Sequence, residues 1–370
     1  MKKHLYLLAL LLLTGISASK AQKLKTENVV LVTLDGMRWQ EIFNGADSTL
    51  FKQQKAFKGP NGQAEVFAKN TLEERRQTLM PFLWGEIAKN GQIYGNRKLN
   101  NKVNVTNDQW FSYPGYNEIL TGFADKKVNS NDKNYNANTT VLEYLNKQPA
   151  FAGKVAAFSS WEVFPFIIND KRSGIPVSAG MQPATGSNVT DTEKILNELM
   201  PRIPNPLGEV RLDAFTFQYA LAYVKKNKPR VLFMAFDETD DFAHQGEYGA
   251  YLHAANNADS FIQQLWHFLQ TEEQYRNKTT LLITTDHGRG AAAAGAWKDH
   301  GKDVNGADAI WLAVIGPDTP AMGEVKTAGQ FYQNQVASTM ATLLGLSYTN
   351  NPKPGAPVSA AFSAPIRANR

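Results

Sequence analysis

Asp240 and His244 stand four residues apart in "DETDDFAH". On one helical turn that spacing puts a carboxylate and an imidazole on the same side, where they can grip one cation. Asp286 and His287 are adjacent, at the end of the apolar run in "LLITTDHGRG" (281–290). Neighbouring side chains diverge on a regular strand, so the turn must bend this pair together. His300 sits in a further Asp-His-Gly triplet and can reach back across an alanine-rich stretch, while Asp35 ends another apolar run, "NVVLVTLDG". Carboxylates mixed with imidazoles suit zinc, with manganese second. The six ligands Asp35, Asp240, His244, Asp286, His287 and His300 are too many for one tetrahedral ion and divide into two sets of three. Two ions have a particular use. One lowers the pKa of a nucleophile, the other holds the leaving oxygen, and both stabilise charge on a transferring phosphoryl group.

The nucleophile is expected in "WFSYPGYNEILTG" (110–122), where Ser112 precedes a helical pattern carrying Tyr116, Ile119 and Leu120. A helix start offers backbone N–H groups to an anion. A serine hydroxyl activated there can attack phosphorus and form a covalent phosphoseryl intermediate, without a histidine–carboxylate relay. The plainer reading of Ser112 is a helix cap. Asn117 and Asn131 are candidate phosphate contacts, and Arg289 and Lys298 are candidate substrate-facing cations. Trp39, Trp110 and Trp161 either line a pocket or, by default, fill the core. His253 and His267 lie in a long helical pattern with no acid at ligand spacing, and read as interface or core histidines.

These residues need strands to carry them. Apolar runs that end in acids at 28–36, 229–240 and 279–288, a further run at 309–317 and a weaker one at 154–160 are what a sheet covered on both faces requires. Helical patterns at 78–91, 138–148, 211–228, 249–273 and 330–346 alternate with them. The fold class is therefore α/β, with a mostly parallel central sheet and helices on both faces. Ligands in such folds bind outside the carboxyl ends of the strands, where Asp35, Asp240, Asp286 and His287 fall. The asparagine-rich stretches 96–108 and 129–140 read as turns and a long loop near the site mouth, 288–303 as a loop, and 169–206 as a cap or long-loop insertion.

The ordered segments "LVTLDG", "SYPGYNEILTG", "DETDDFAH", "TTDHG" and the later "DHG", followed by "QVASTMATLLGL", resemble the alkaline phosphatase superfamily of metallohydrolases. They lie nearest its type I phosphodiesterase and nucleotide-pyrophosphatase branch. The resemblance implies two divalent ions. It puts Asp35, Asp286 and His287 around one, touched by Ser112, and Asp240, His244 and His300 around the other. Asp237 competes with Asp240, but the four-residue spacing favours Asp240. Serine stands at 112 where many phosphodiesterase members have threonine. A sulfatase reading would need arginine where Tyr116 stands. The expected substrate is a small phosphate ester, a diester ahead of a monoester. A phospho-group transferase and a non-catalytic, metal-stabilised binding protein use the same ligands and remain as alternatives.

The N-terminus reads as a secretory signal over residues 1–21. Lys2 and Lys3 precede an apolar run, Leu5 to Leu13, and small residues lead to cleavage after Ala21. The apolar run is short for a membrane span. A periplasmic or secreted home is expected, with the metallohydrolase domain over 22–370. The chain has no cysteine, so neither disulfides nor thiolates contribute. Of 39 basic residues, Lys2, Lys3 and Lys20 belong to the signal, leaving 36 against 34 acidic ones. Such a balance is no nucleic-acid footprint.

Overall fold

The computed structural model describes residues 24–53, 64–291 and 293–363, so the expected signal over 1–21 lies outside the described residues. Among the described residues eleven strands are formed: β1 (Asn28–Leu34), β2 (Gly91–Tyr94), β3 (Asn101–Asn104), β4 (Val155–Ser159), β5 (Val177–Ala179), β6 (Val231–Phe236), β7 (Thr279–Thr284), β8 (Ala309–Ile310), β9 (Leu312–Ile315), β10 (Gly323–Glu324) and β11 (Gly329–Tyr332). Eight make one sheet in the order β10-β2-β9-β7-β1-β6-β4-β5. From β7 to β5 every neighbour is parallel, and β9 runs antiparallel to both β7 and β2. The mostly parallel α/β expectation is met.

Period-two alternation explains why these strands are apolar throughout. Val30, Val32 and Leu34 of β1 point into one core with Leu232, Met234 and Phe236 of β6. Val29 and Leu31 point into the other, with Val231 and Phe233. Helices Asp213–Asn227 and Tyr248–Thr271 cover the first face, through Phe217, Ala255 and Ile262 among others. Helices Ser112–Thr121, Val141–Asn146 and Val336–Leu343 cover the second, through Ile119, Leu142 and Met340. Among the described residues no helix is long and apolar enough to cross a membrane.

Three local expectations change. The 309–317 run divides: Trp311 separates β8, in a small sheet of order β11-β3-β8, from β9 in the main sheet. The 330–346 pattern starts as strand β11, paired in parallel with β3, passes through a 3-10 turn at Gln333–Gln335 and becomes α-helical only at Val336. Its partner β3 lies inside the asparagine-rich stretch 96–108, which is therefore not all turn. Residues 169–206 contribute β5 at the sheet edge and the helix Asp191–Leu199, which packs on Asp213–Asn227.

Candidate metal centre

β1 lies between β6 and β7, so the three strand ends that carry Asp35, Asp240 and Asp286 are side by side. The Asp35 N–H donates to Phe236 O at 2.9 Å, extending the β1–β6 ladder to the ligand itself. Gly36 then turns in the left-handed region (φ 56°) and donates its N–H to Asp286 Oδ1 at 3.0 Å. Beyond β6, the helix Glu238–His244 carries Asp240 and His244 on one turn. Its N-terminus is held by the buried Asp213, whose Oδ1 accepts from Asp237 N at 2.9 Å. Asp237 thus heads this helix, while Asp240 faces the histidines.

His287 is fully buried, and its Nε2 is the hub of the first group. It lies 3.3 Å from Asp35 Oδ1, 3.4 Å from Asp286 Oδ2 and 3.7 Å from Asp240 Oδ1. Its Nδ1 is 2.9 Å from Gly288 O; donation there leaves Nε2 as the free ligand atom. Asp35 Oδ1 and Asp286 Oδ2 are buried without a hydrogen-bond partner. Burial, reinforced by repulsion of Asp35 by Asp240 and of Asp286 by Asp35, pushes both carboxyls well above their usual range. Two orphaned carboxylate oxygens facing one imidazole nitrogen are what a divalent cation would satisfy.

The second group is Asp240, His244 and His300, whose ligand atoms lie within 4.8 Å of one another. His244 Nε2 is 2.9 Å from His300 Nε2 and 3.2 Å from Asp240 Oδ2. His300 Nδ1 meets Trp110 O at 3.2 Å, which again points Nε2 inward. Trp110 holds a left-handed backbone (φ 54°), costly for an aromatic residue. Asn107 Oδ1 accepts its N–H at 3.0 Å, and the buried Glu118 accepts the Asn107 N–H at 2.8 Å. Burial, then the neighbouring His287, lowers His300 to about 2, so it stays neutral and able to ligate. Burial opposes ionisation of Asp240, yet Arg289, His244 and His300 together hold it well below the usual range. By distance Asp240 joins both groups, standing as the wall between them.

Ser112 Oγ lies 3.5 Å from His287 Nε2. The cap reading of Ser112 is not what the helix shows. Phe111 occupies the N-cap, with no side-chain cap bond, and Ser112 is the first helical residue. Gly115 allows the helix to sit this close. A Cβ there would be 2.4 Å from Asp286 O. Gly115→Ala is therefore expected to push the serine helix off the strand end. Overpacking of this kind costs about 1–3 kcal/mol, measurable by urea unfolding, and kcat should fall with it.

Other candidates separate. Asn117 is fully buried and accepts from Asn136 and Asn138 side chains at 3.1 Å each, a structural role. Asn131 lies at the serine instead, its Oδ1 accepting from Tyr113 N at 3.0 Å. Tyr116 donates to Asp35 Oδ2 at 2.9 Å, a contact the sequence reading missed. Glu118 and Gln333 were also missed. Gln333 Nε2 donates to Thr285 O at 3.1 Å and also to Asp286 O, bracing that ligand from behind. A polar residue inside an otherwise apolar helix, as Glu118 is, was the available signal. His253 packs edge-on to Phe67, and His267 meets Glu86 at 3.0 Å, so neither joins the centre.

The fold is that of alkaline phosphatase-like proteins. Residues 194–348, less than half of the chain, match the model of the Metalloenzyme superfamily. The alkaline phosphatase PafA superposes with a TM-score of 0.56 at 12% identity, over 92% of this chain and 99% of that one. The lipoteichoic acid synthase LtaP from Listeria monocytogenes gives 0.55 at 13%, over 88% and 73%. Phosphonate monoester hydrolase SpPMH from Silicibacter pomeroyi gives 0.53 at 12%, over 93% and 78%. The architecture is that of the alkaline phosphatase superfamily, as the motifs implied. No curated protein matches the chain.

Proposed function

We propose that this protein is an exported, two-zinc hydrolase of phosphate esters that uses Ser112 as nucleophile and prefers diesters. The observation that carries the reading is the convergence on His287 Nε2 of Ser112 Oγ and two orphaned carboxylate oxygens, beside the Asp240/His244/His300 group. Two divalent ions, one held by Asp35, Asp286 and His287 and one by Asp240, His244 and His300, would supply Lewis acidity to the serine oxygen and the leaving oxygen.

The remaining work falls to the chain. At the helix start Tyr113 N donates to Asn131 Oδ1, Pro114 has no N–H and Gly115 N donates to Phe111 O, which leaves the Ser112 N–H, with the partial positive charge of the helix end, for the anionic substrate. Asn131 spends its carbonyl on Tyr113 N, leaving its amide N–H groups for a phosphoryl oxygen. Ser112 Oγ forms the bond to phosphorus as the ester oxygen leaves, giving a phosphoseryl intermediate, and attack of water then frees the serine. His244 is the partly exposed ligand and marks the side open to solvent.

Charge supports the diester preference. A monoester dianion carries one more charge than a diester and calls for an additional cation. Among the described residues Arg289 is the sole arginine or lysine ion-paired with a ligand carboxylate, and it is committed to Asp240. Tyr116, at the position where the sulfatase pattern needs arginine, is committed to Asp35. Hydrolysis of paired chromogenic phosphate mono- and diesters by the zinc-loaded protein tests the reading. Diester turnover well above monoester turnover is expected. The reverse order would make the protein a phosphomonoesterase.

A further inference from the structure

Arg289 is two residues beyond His287 and fully buried. Its Nη2 bonds Asp240 Oδ1, and Asp240 O at 3.2 Å, while Nη1 bonds Lys298 O. One guanidinium therefore ties together three ligand-bearing segments: the turn with Asp286 and His287, the helix with Asp240 and His244, and the loop two residues short of His300. Room for it is made by glycines. A Cβ on Gly36 would stand 2.8 Å from Arg289 Nε and 2.7 Å from Asp240 Oδ1. Cβ atoms on Gly288 and Gly290 would meet Ala309 O at 2.2 Å and Ala296 O at 2.6 Å. A larger residue at any of the three would displace the turn that aims Arg289 inward.

A buried ion pair is a poor source of net stability, because desolvating both charges offsets their attraction. Arg289 Nε even lacks a hydrogen-bond partner. What a planar guanidinium supplies instead is direction. With Oδ1 of Asp240 held by Arg289, Oδ2 is the oxygen turned to His244 Nε2. Released, the carboxylate is free to rotate toward His287, whose Nε2 is already 3.7 Å from Oδ1. We infer that Arg289 is a positioning residue that builds the Asp240/His244/His300 ion site and couples it to the Asp35/Asp286/His287 site. This rests on the two-ion reading above.

The test is metal binding, independent of turnover. Zinc stoichiometry and affinity are measured by chelator competition, with cobalt substitution and its visible spectrum as a second readout. Wild-type protein, Arg289→Met, Arg289→Lys and His244→Ala are compared. Lost support behind a ligand typically weakens an ion by about 10–100-fold. Arg289→Met is expected to keep one tight ion and weaken the second by that amount, altering the cobalt spectrum as His244→Ala does. Arg289→Lys keeps the charge but cannot span Asp240 and Lys298 O, so its second ion should be intermediate. Two unchanged ions in Arg289→Met, with one lost in His244→Ala, would overturn the inference and leave the two-ion reading standing. Should Arg289→Met fail to fold, Arg289→Lys decides, and wild-type affinities in it would overturn the inference. A wild-type protein without two ions would remove both.

Discussion

Ser112→Ala is expected to lower kcat/KM toward diesters by on the order of 10⁴-fold or more, the scale on which nucleophile removal acts elsewhere. The substitution deletes one atom, and that atom faces His287 Nε2 rather than a helix N–H group. Helix formation does not depend on it, because Phe111 holds the N-cap. Alanine is the better helix former, so the melting temperature should stay level or rise slightly. Zinc content should stay at the wild-type level, since three protein ligands remain for each ion. The combination is diagnostic. Turnover lost with fold and metal intact identifies a nucleophile, whereas full activity in Ser112→Ala would remove Ser112 from the mechanism. A trapped phosphoseryl adduct in acid-quenched wild-type protein, absent from the variant, is the positive counterpart.

Stripping the ions should abolish turnover and also change how stability depends on pH. Asp35, Asp286 and Asp237 are all pushed well up by burial in the metal-free protein, with neighbouring carboxylates adding to it. A carboxyl raised in the folded state binds its proton more tightly there than in the unfolded chain. Its stabilising contribution is complete below the unfolded value, about 4, and is lost as pH rises toward the folded one. His300, lowered to about 2, acts in the opposite direction, but only below its unfolded value of about 6.5. Asp240, held low, matters only in more acidic solution. From about pH 6.5 upward the carboxyls therefore set the sign. Zinc displaces their protons, so its affinity and the stability it confers should both grow with pH. Melting temperatures with zinc and with chelator, measured between about pH 6.5 and 8.5, should diverge as pH rises. A gap that closes would sink the assignment of Asp35 and Asp286 to an ion.

Much of this was legible beforehand. β1, β6 and β7 stood out because a strand covered on both faces must be apolar at every position, and the acids ending them mark where the cover stops. Asp240 and His244 were legible from helical spacing alone. The strand β11 was not, since Gln330-Phe331-Tyr332 is too short and too polar to outvote the helix that follows. Its partner β3 is more than two hundred residues away, in a segment that reads as turns. Nor was the inward course of Arg289 legible, because a cation in a glycine-rich turn beside the ligands reads as facing the substrate. The flanking Gly288 and Gly290 were the clue, for glycine on both sides means that something packs close.

The order of the central strands has a temporal meaning as well. β1 leads the described chain, yet its sheet neighbours β6 and β7 arrive about two hundred and two hundred and fifty residues later. A growing chain thus holds Asp35 long before any companion ligand exists. Pairings this distant form late and slowly. Until they do, Asp35 and the two later strand ends do not meet. On the two-ion reading, an ion that uses Asp35 fastens a sheet already built instead of nucleating it.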